Sequence, residues 1–164
     1  MIYRCSLVLI FGLTLAGCYS FKGISIPPDV TTFYVAPVVL RDPAAPADYQ
    51  VQFAERLRDK VRNESRLKYN ESNPDIEFES AVTNFRVVPV AVKPGESAAI
   101  NRLEVSVEVK YISNKQEKDN WTQTFKHFAD FSASENLLNV QTSLLNLINT
   151  QLTEDIFNKA FTNW

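Results

Sequence analysis

Cysteine is nearly missing from this sequence: Cys5 and Cys18 are the only two. Cys5 lies inside an apolar leader and Cys18 directly follows it, so the folded part has no thiol for a disulfide or a cysteine-based metal site. Glycine is as scarce, at four residues, which leaves no glycine-rich loop to cradle a phosphate. A lone histidine, His127, excludes an HExxH zinc motif, and no GxSxG elbow occurs. Neither sign of charge dominates. Without the leader, 16 basic residues face 19 acidic ones, a net charge of −3. That balance gives no broad positive field for a nucleic acid, so none is expected as a partner.

What is present begins with the leader. Arg4 precedes the apolar run Leu7–Leu15, which is about half the length a membrane-spanning helix needs. Leu15-Ala16-Gly17-Cys18 closes it and resembles a bacterial lipobox. The resemblance implies cleavage between Gly17 and Cys18 and acylation of Cys18. Two or more acyl chains anchor a domain stably, where one does so marginally. Tyr19-Ser20 follow without an aspartate, the pattern that favours the outer membrane, with the domain on the periplasmic side. The expected division is a signal peptide over 1–17, a lipidated N-terminus and tether over 18–30, and one domain over 31–164. Pro27-Pro28-Asp29 makes the tether stiff and extended.

Within the domain, Thr31–Val39 reads as one strand, with Pro37 placing it at an edge or bulge. Asp48 is a predicted N-cap for a helix to about Ser65, because Tyr49, Phe53, Leu57 and Val61 recur every fourth residue. Leu67–Tyr69 reads as a short strand. Ile76, Phe78, Ser80 and Val82 then alternate with polar residues, and the apolar parity slips to Phe85 and Val87. A β-bulge near Thr83-Asn84 explains the slip. Pro89 ends ladder pairing on one side, and Lys93-Pro94-Gly95-Glu96 fits a type II turn. Leu103–Tyr111 alternates cleanly and Trp121–Phe131 is its return strand. Ser132-Ala133-Ser134-Glu135 is a capping-box sequence opening a helix to about Phe161. Its stripe of Leu137, Leu144, Leu145, Ile148, Leu152 and Ile156 is widened by Val140 and Leu147. The expected fold is α+β: a two-layer sandwich in which two helices cover one face of a mostly antiparallel sheet of four or slightly more strands, in the order β-α-β-β-β-α. The other sheet face is polar, hence wet or covered by a partner.

The candidates for chemistry are few. His127 shares parity with Phe125 and Ala129, so a structural histidine is favoured over a catalytic base. Glu77 and Glu79 read as solvated carboxylates, and neither a metal site nor a cofactor is expected. Arg86, Lys93, Arg102, Lys110 and Lys126 form a basic set. Arg102, Lys110 and Lys126 are the candidates for binding an anionic ligand such as a lipid A phosphate by charge-assisted bonds.

The stretches Cys18–Pro27, Arg86–Val92, Ala98–Leu103 and Glu154–Asn158, with the terminal Asn163-Trp164, together resemble the LptE family, closest to its Bacteroidota-type branch. The resemblance implies a non-enzymatic outer-membrane lipoprotein that supports the LptD β-barrel in assembling lipopolysaccharide. An assembly factor or pilot for another envelope complex is the alternative, and a hydrolase using His127 is a distant third.

Overall fold

The computed structural model describes residues 25–90 and 99–162. The elements are β1 (Thr32–Val35), β2 (Val39–Leu40), α1 (Tyr49–Glu64), β3 (Lys68–Tyr69), β4 (Ile76–Val90), β5 (Ile100–Ser113), β6 (Trp121–Ser132) and α2 (Leu137–Phe161), with a short 3-10 turn at Glu117–Asp119. The sheet runs β3-β1-β4-β5-β6, and β2 joins β4 beside β1. Its long strands β4, β5 and β6 are antiparallel, whereas β1 and β2 lie parallel to β4 and β3 lies parallel to β1. The sheet is therefore mixed and six-stranded, two strands more than the expected order, which lacked β2 and the short β3.

The added β2 comes from Pro37. Ala36 N donates to Phe78 O, after which proline has no N–H to continue the ladder. The chain rejoins β4 one residue out of step: Val35 faces Phe78, but Val39 faces Ala81. The slip reverses the expected parity, so Val38 is buried and Val39 is 56% exposed.

The long strands follow their sequence pattern. Leu103, Val105, Val107 and Val109 are fully buried on one face of β5. The register of β4 against β5 shifts between Val82 and Asn84, at the predicted bulge. Past the bulge the backbone groups of odd-numbered β4 residues turn away from β5, and Phe85 N donates to Asp42 Oδ2 at 2.7 Å. Pro89 shares that parity, so its missing N–H falls on a side with no strand among the described residues. β4 runs through it to Val90.

One core joins the inner sheet face to both helices. Tyr49, Phe53, Leu57 and Val61 of α1 are fully buried, as the four-residue spacing predicts. The Tyr49 hydroxyl donates to Asn149 Oδ1 at 2.6 Å inside this core. Burial pushes the phenol well above its ordinary pKa, so it remains a donor. Lys60 of α1 adds ion pairs to Glu154 of α2 and to Glu64. Desolvation works against its charge, but the hydrogen bonds and charges of those two carboxylates outweigh it, and its pKa rises.

Two helix starts depart from expectation. Asp48 precedes α1, but its carboxylate accepts from Gln52 Nε2 at 2.7 Å and from no backbone N–H of the first turn. Ser132 is the last residue of β6 and not a helix cap. Its N–H donates to Glu135 Oε2 at 3.2 Å, so the reciprocal half of a capping box forms within a turn. Asn136 is the true N-cap, extended at ψ 128°, and its Oδ1 accepts from Leu138 N at 3.0 Å. Leu144, Leu145, Ile148, Leu152 and Ile156 are buried as expected. Leu137 and Val140 are partly buried, and Leu147 is 63% exposed. The buried stripe of α2 is therefore narrower than the apolar pattern.

The tether expected to run through Val30 is docked from Ser25 onward. Ser25 N donates to Phe161 O at 2.7 Å, the Arg66 guanidinium holds the Ile26 and Pro27 carbonyls, and Val30 is buried. Cys18, Gly17 and the Lys93–Glu96 turn lie outside the described residues.

Candidate interaction face

The outer face of β4, β5 and β6 is built by alternation. When Leu103, Val105, Val107 and Val109 point into the core, Arg102, Glu104, Ser106, Glu108 and Lys110 must point out. Across β6 these oppose Asp130, Phe128, Lys126, Thr124 and Thr122 in turn. Across β4, Glu104 opposes Arg86, Ser106 opposes Asn84 and Lys110 opposes Glu79.

Charges on this face are mostly neutralised across strands. Arg102 forms a two-pronged bond to Asp130 at 2.7 and 2.9 Å. That guanidinium holds the Asp130 carboxyl below its usual range. Arg86 bonds Glu104 at 2.8 Å, Arg41 bonds Glu108 at 2.7 Å and Lys110 bonds Glu79 at 3.0 Å. Lys126 has no ion-pair or hydrogen-bond partner among the described residues. It lines an open groove of about 470 Å³ with Thr83, Asn84, Arg86, Ser106 and Phe128, at the level of the bulge.

The three candidate anion ligands do share this face, but they do not converge. Arg102 and Lys110 lie eight residues apart on β5, about 26 Å at the rise of a strand, with Lys126 opposite Ser106 midway. Arg86 joins Lys126 at the groove, while Lys93 lies outside the described residues. Glu79 serves Lys110, and the described residues hold no group of acidic or histidine side chains suited to a metal. His127 points to the helical layer, with Nε2 2.7 Å from Asp155 Oδ2. It joins β6 to α2, and Asp155 is the partner of its ring among the described residues.

The sequence reading missed Phe128. It is 54% exposed on this face, and the Arg102 guanidinium lies 3.7 Å from its ring centre. The signal was its even number: Phe128 shares parity with Lys126 and Asp130 and not with Phe125 and Phe131.

The sequence profile of the LptE family, described as lipopolysaccharide-assembly, matches residues 30–160. The chain belongs to the LptE family. The match begins at Val30, where the chain enters the core, and spans both helices and the whole sheet. No curated protein sequence matches the chain. Among solved structures, a DUF330-family protein from Xanthomonas campestris aligns with a TM-score of 0.50 at 13% identity, over 82% of this chain and 88% of its own. A minor lipoprotein from Acinetobacter baumannii aligns at 0.48 and 14% identity, over 80% and 91%. Rare lipoprotein B from Shewanella oneidensis aligns at 0.47 and 12% identity, over 77% and 89%. At such identities the likeness is one of fold. No helix among the described residues of this LptE-family chain is long and apolar enough to cross a membrane.

Proposed function

We propose that the chain is a non-enzymatic outer-membrane lipoprotein, anchored through acylated Cys18 and facing the periplasm, that partners an LptD-type β-barrel in assembling lipopolysaccharide. The observation that carries this reading is the LptE match across residues 30–160, whose described role is lipopolysaccharide assembly. The lipobox-like Leu15-Ala16-Gly17-Cys18 lies upstream of that match, ahead of the tether. The polar sheet face fits a binding surface: four ion pairs, three of them between neighbouring strands, fix its geometry, and on this face Lys126 has no partner among the described residues and stands beside an exposed aromatic ring. A phosphate with an attached acyl chain suits that combination, the anion on Lys126 and the apolar part on Phe128. Arg102 and Lys110 serve as flanking contacts only if a ligand displaces Asp130 and Glu79.

Lipopolysaccharide binding by the purified protein tests the site. Lys126→Glu is expected to weaken binding by about 10- to 100-fold, the worth of a charge-assisted bond. Lys110→Gln, whose charge Glu79 already engages, is expected to change it little. Equal loss from both substitutions contradicts the groove as the site. Crosslinking from Thr124 identifies the partner: a large β-barrel supports this reading, and a different envelope complex supports the assembly-factor alternative.

A further inference from the structure

Two edges bound the sheet, and they are treated differently. β3 is two residues long, and proline interrupts the chain between β1 and β2. β6 is twelve residues long, contains no proline, and keeps an unbroken register from Trp121 to Ser132. No strand pairs with its outer side among the described residues. Long straight edges are normally shortened, bulged or covered, because their free N–H and C=O groups recruit another strand.

The direction of those free groups follows from one bond. Ala133 N donates to Ala99 O, so odd-numbered residues of this strand turn their backbone groups toward β5. Even-numbered residues therefore turn theirs to the open edge: Thr122, Thr124, Lys126, Phe128 and Asp130. The side chains of these same residues lie on the outer face.

We propose that the open edge of β6 pairs antiparallel with β6 of a second copy, about a two-fold axis through Phe128. In that register Phe128 faces Phe128, and Lys126 of each copy faces Asp130 of the other. Each pair joins two residues with outward backbone groups, so each exchanges two backbone bonds, as an antiparallel ladder requires. On the inner face Phe125 opposes Phe131 and His127 opposes Ala129. Neighbouring registers are worse. Centring on Lys126 or on Asp130 sets like charges opposite one another, and centring on His127 or Ala129 sets a charge against Phe128. Asp130 already accepts from Arg102, but a carboxylate has lone pairs for a further donor, and Lys126 is the cation of this face with no acceptor among the described residues. The self-complementary order, cation, ring, anion at alternate residues, selects a second copy over an unrelated strand. This inference does not rest on the proposed function. Both use Lys126, so pairing and binding of an anionic ligand compete.

Sedimentation equilibrium of the full-length protein in mild detergent, without lipopolysaccharide, tests it. The expected result is a reversible dimer. Phe128→Lys, which sets two cations across the axis, should raise the dimer Kd by at least about tenfold. Lys126→Pro removes a donor aimed away from β5, so it should keep the fold by circular dichroism and also dissociate the dimer. Amides of Lys126, Phe128 and Asp130 should gain hydrogen-exchange protection as concentration rises. A monomer at every concentration overturns the proposal. So does a dimer that survives both substitutions, or edge amides protected only when another protein co-purifies.

Discussion

Asp75 shows how much one carboxylate can organise. Its Oδ2 accepts from Thr31 N at 2.8 Å, Thr32 N at 2.9 Å and Thr31 Oγ1 at 3.0 Å, and Lys115 lies 3.2 Å from Oδ1. These bonds, the Thr31 N–H first among them, hold its carboxyl well below the usual range against the cost of desolvation. The native state thus binds fewer protons than the unfolded chain just below pH 4. The stabilisation is present above about pH 4 and is lost as pH falls toward the depressed native value. Asp75→Ala is expected to cost about 2–3 kcal/mol in urea unfolding at pH 7. The difference from the unsubstituted protein should shrink as the pH is lowered from 4 to 2. Nothing in the sequence announced Asp75, because its partners lie forty or more residues away and its own neighbours form a polar turn. Lys126 was legible as a residue of the polar face. Its lack of a counter-charge was not, since that depends on which acids stand beside the other cations.

Among the elements, those with a long period were legible; of the two-residue strands, β3 was read at Leu67–Tyr69 and β2 was not. The parity slip at Thr83-Asn84 gave the bulge because the alternation of a fifteen-residue strand runs on both sides of it. Deleting Thr83 should restore alternation while keeping every observed β4–β5 pairing, so the fold should survive with stability changed by less than about 2 kcal/mol. The groove beside Lys126 should close, and lipopolysaccharide binding should fall. A deletion variant that binds as before contradicts a role for the bulge. In α2 the apolar pattern ran wider than the buried stripe, because leucine at an exposed helix position costs little and leaves the periodicity blurred. Ile148→Ala should cost about 2–5 kcal/mol in chemical denaturation, while Leu147→Lys should stay within about 0.5 kcal/mol. The start of α2 was misplaced by four residues, from Ser132 to Asn136 as N-cap: Ser132 and Glu135 do bond each other, but β6 claims Ser132 first.

At the scale of the molecule, the two-layer sandwich followed from matching apolar stripes to one core, and the parallel pairings did not. β2 and β3 carry two residues each, too few for any period, so their parallel partners β4 and β1 appear only in the register. The docked N-terminal segment sets the geometry of the proposed anchor. Ser25 is bonded beside Phe161, and the seven residues back to Cys18 reach at most about 25 Å. β5 alone is about 46 Å long. With Cys18 acylated, the end bearing the α2 C-terminus and the β5–β6 loop therefore faces the bilayer, and the groove stands away from it. Probes at Lys118 should then be quenched by nitroxide lipids and probes at Ser134 should not. The most direct measurement of the whole account is affinity purification of the tagged, acylated protein from isolated outer membranes, with identification of its companions. The account predicts a stoichiometric LptD-type β-barrel that is lost with Cys18→Ser. A protein recovered without any barrel, from cells whose surface lipopolysaccharide is unchanged by its depletion, would contradict it.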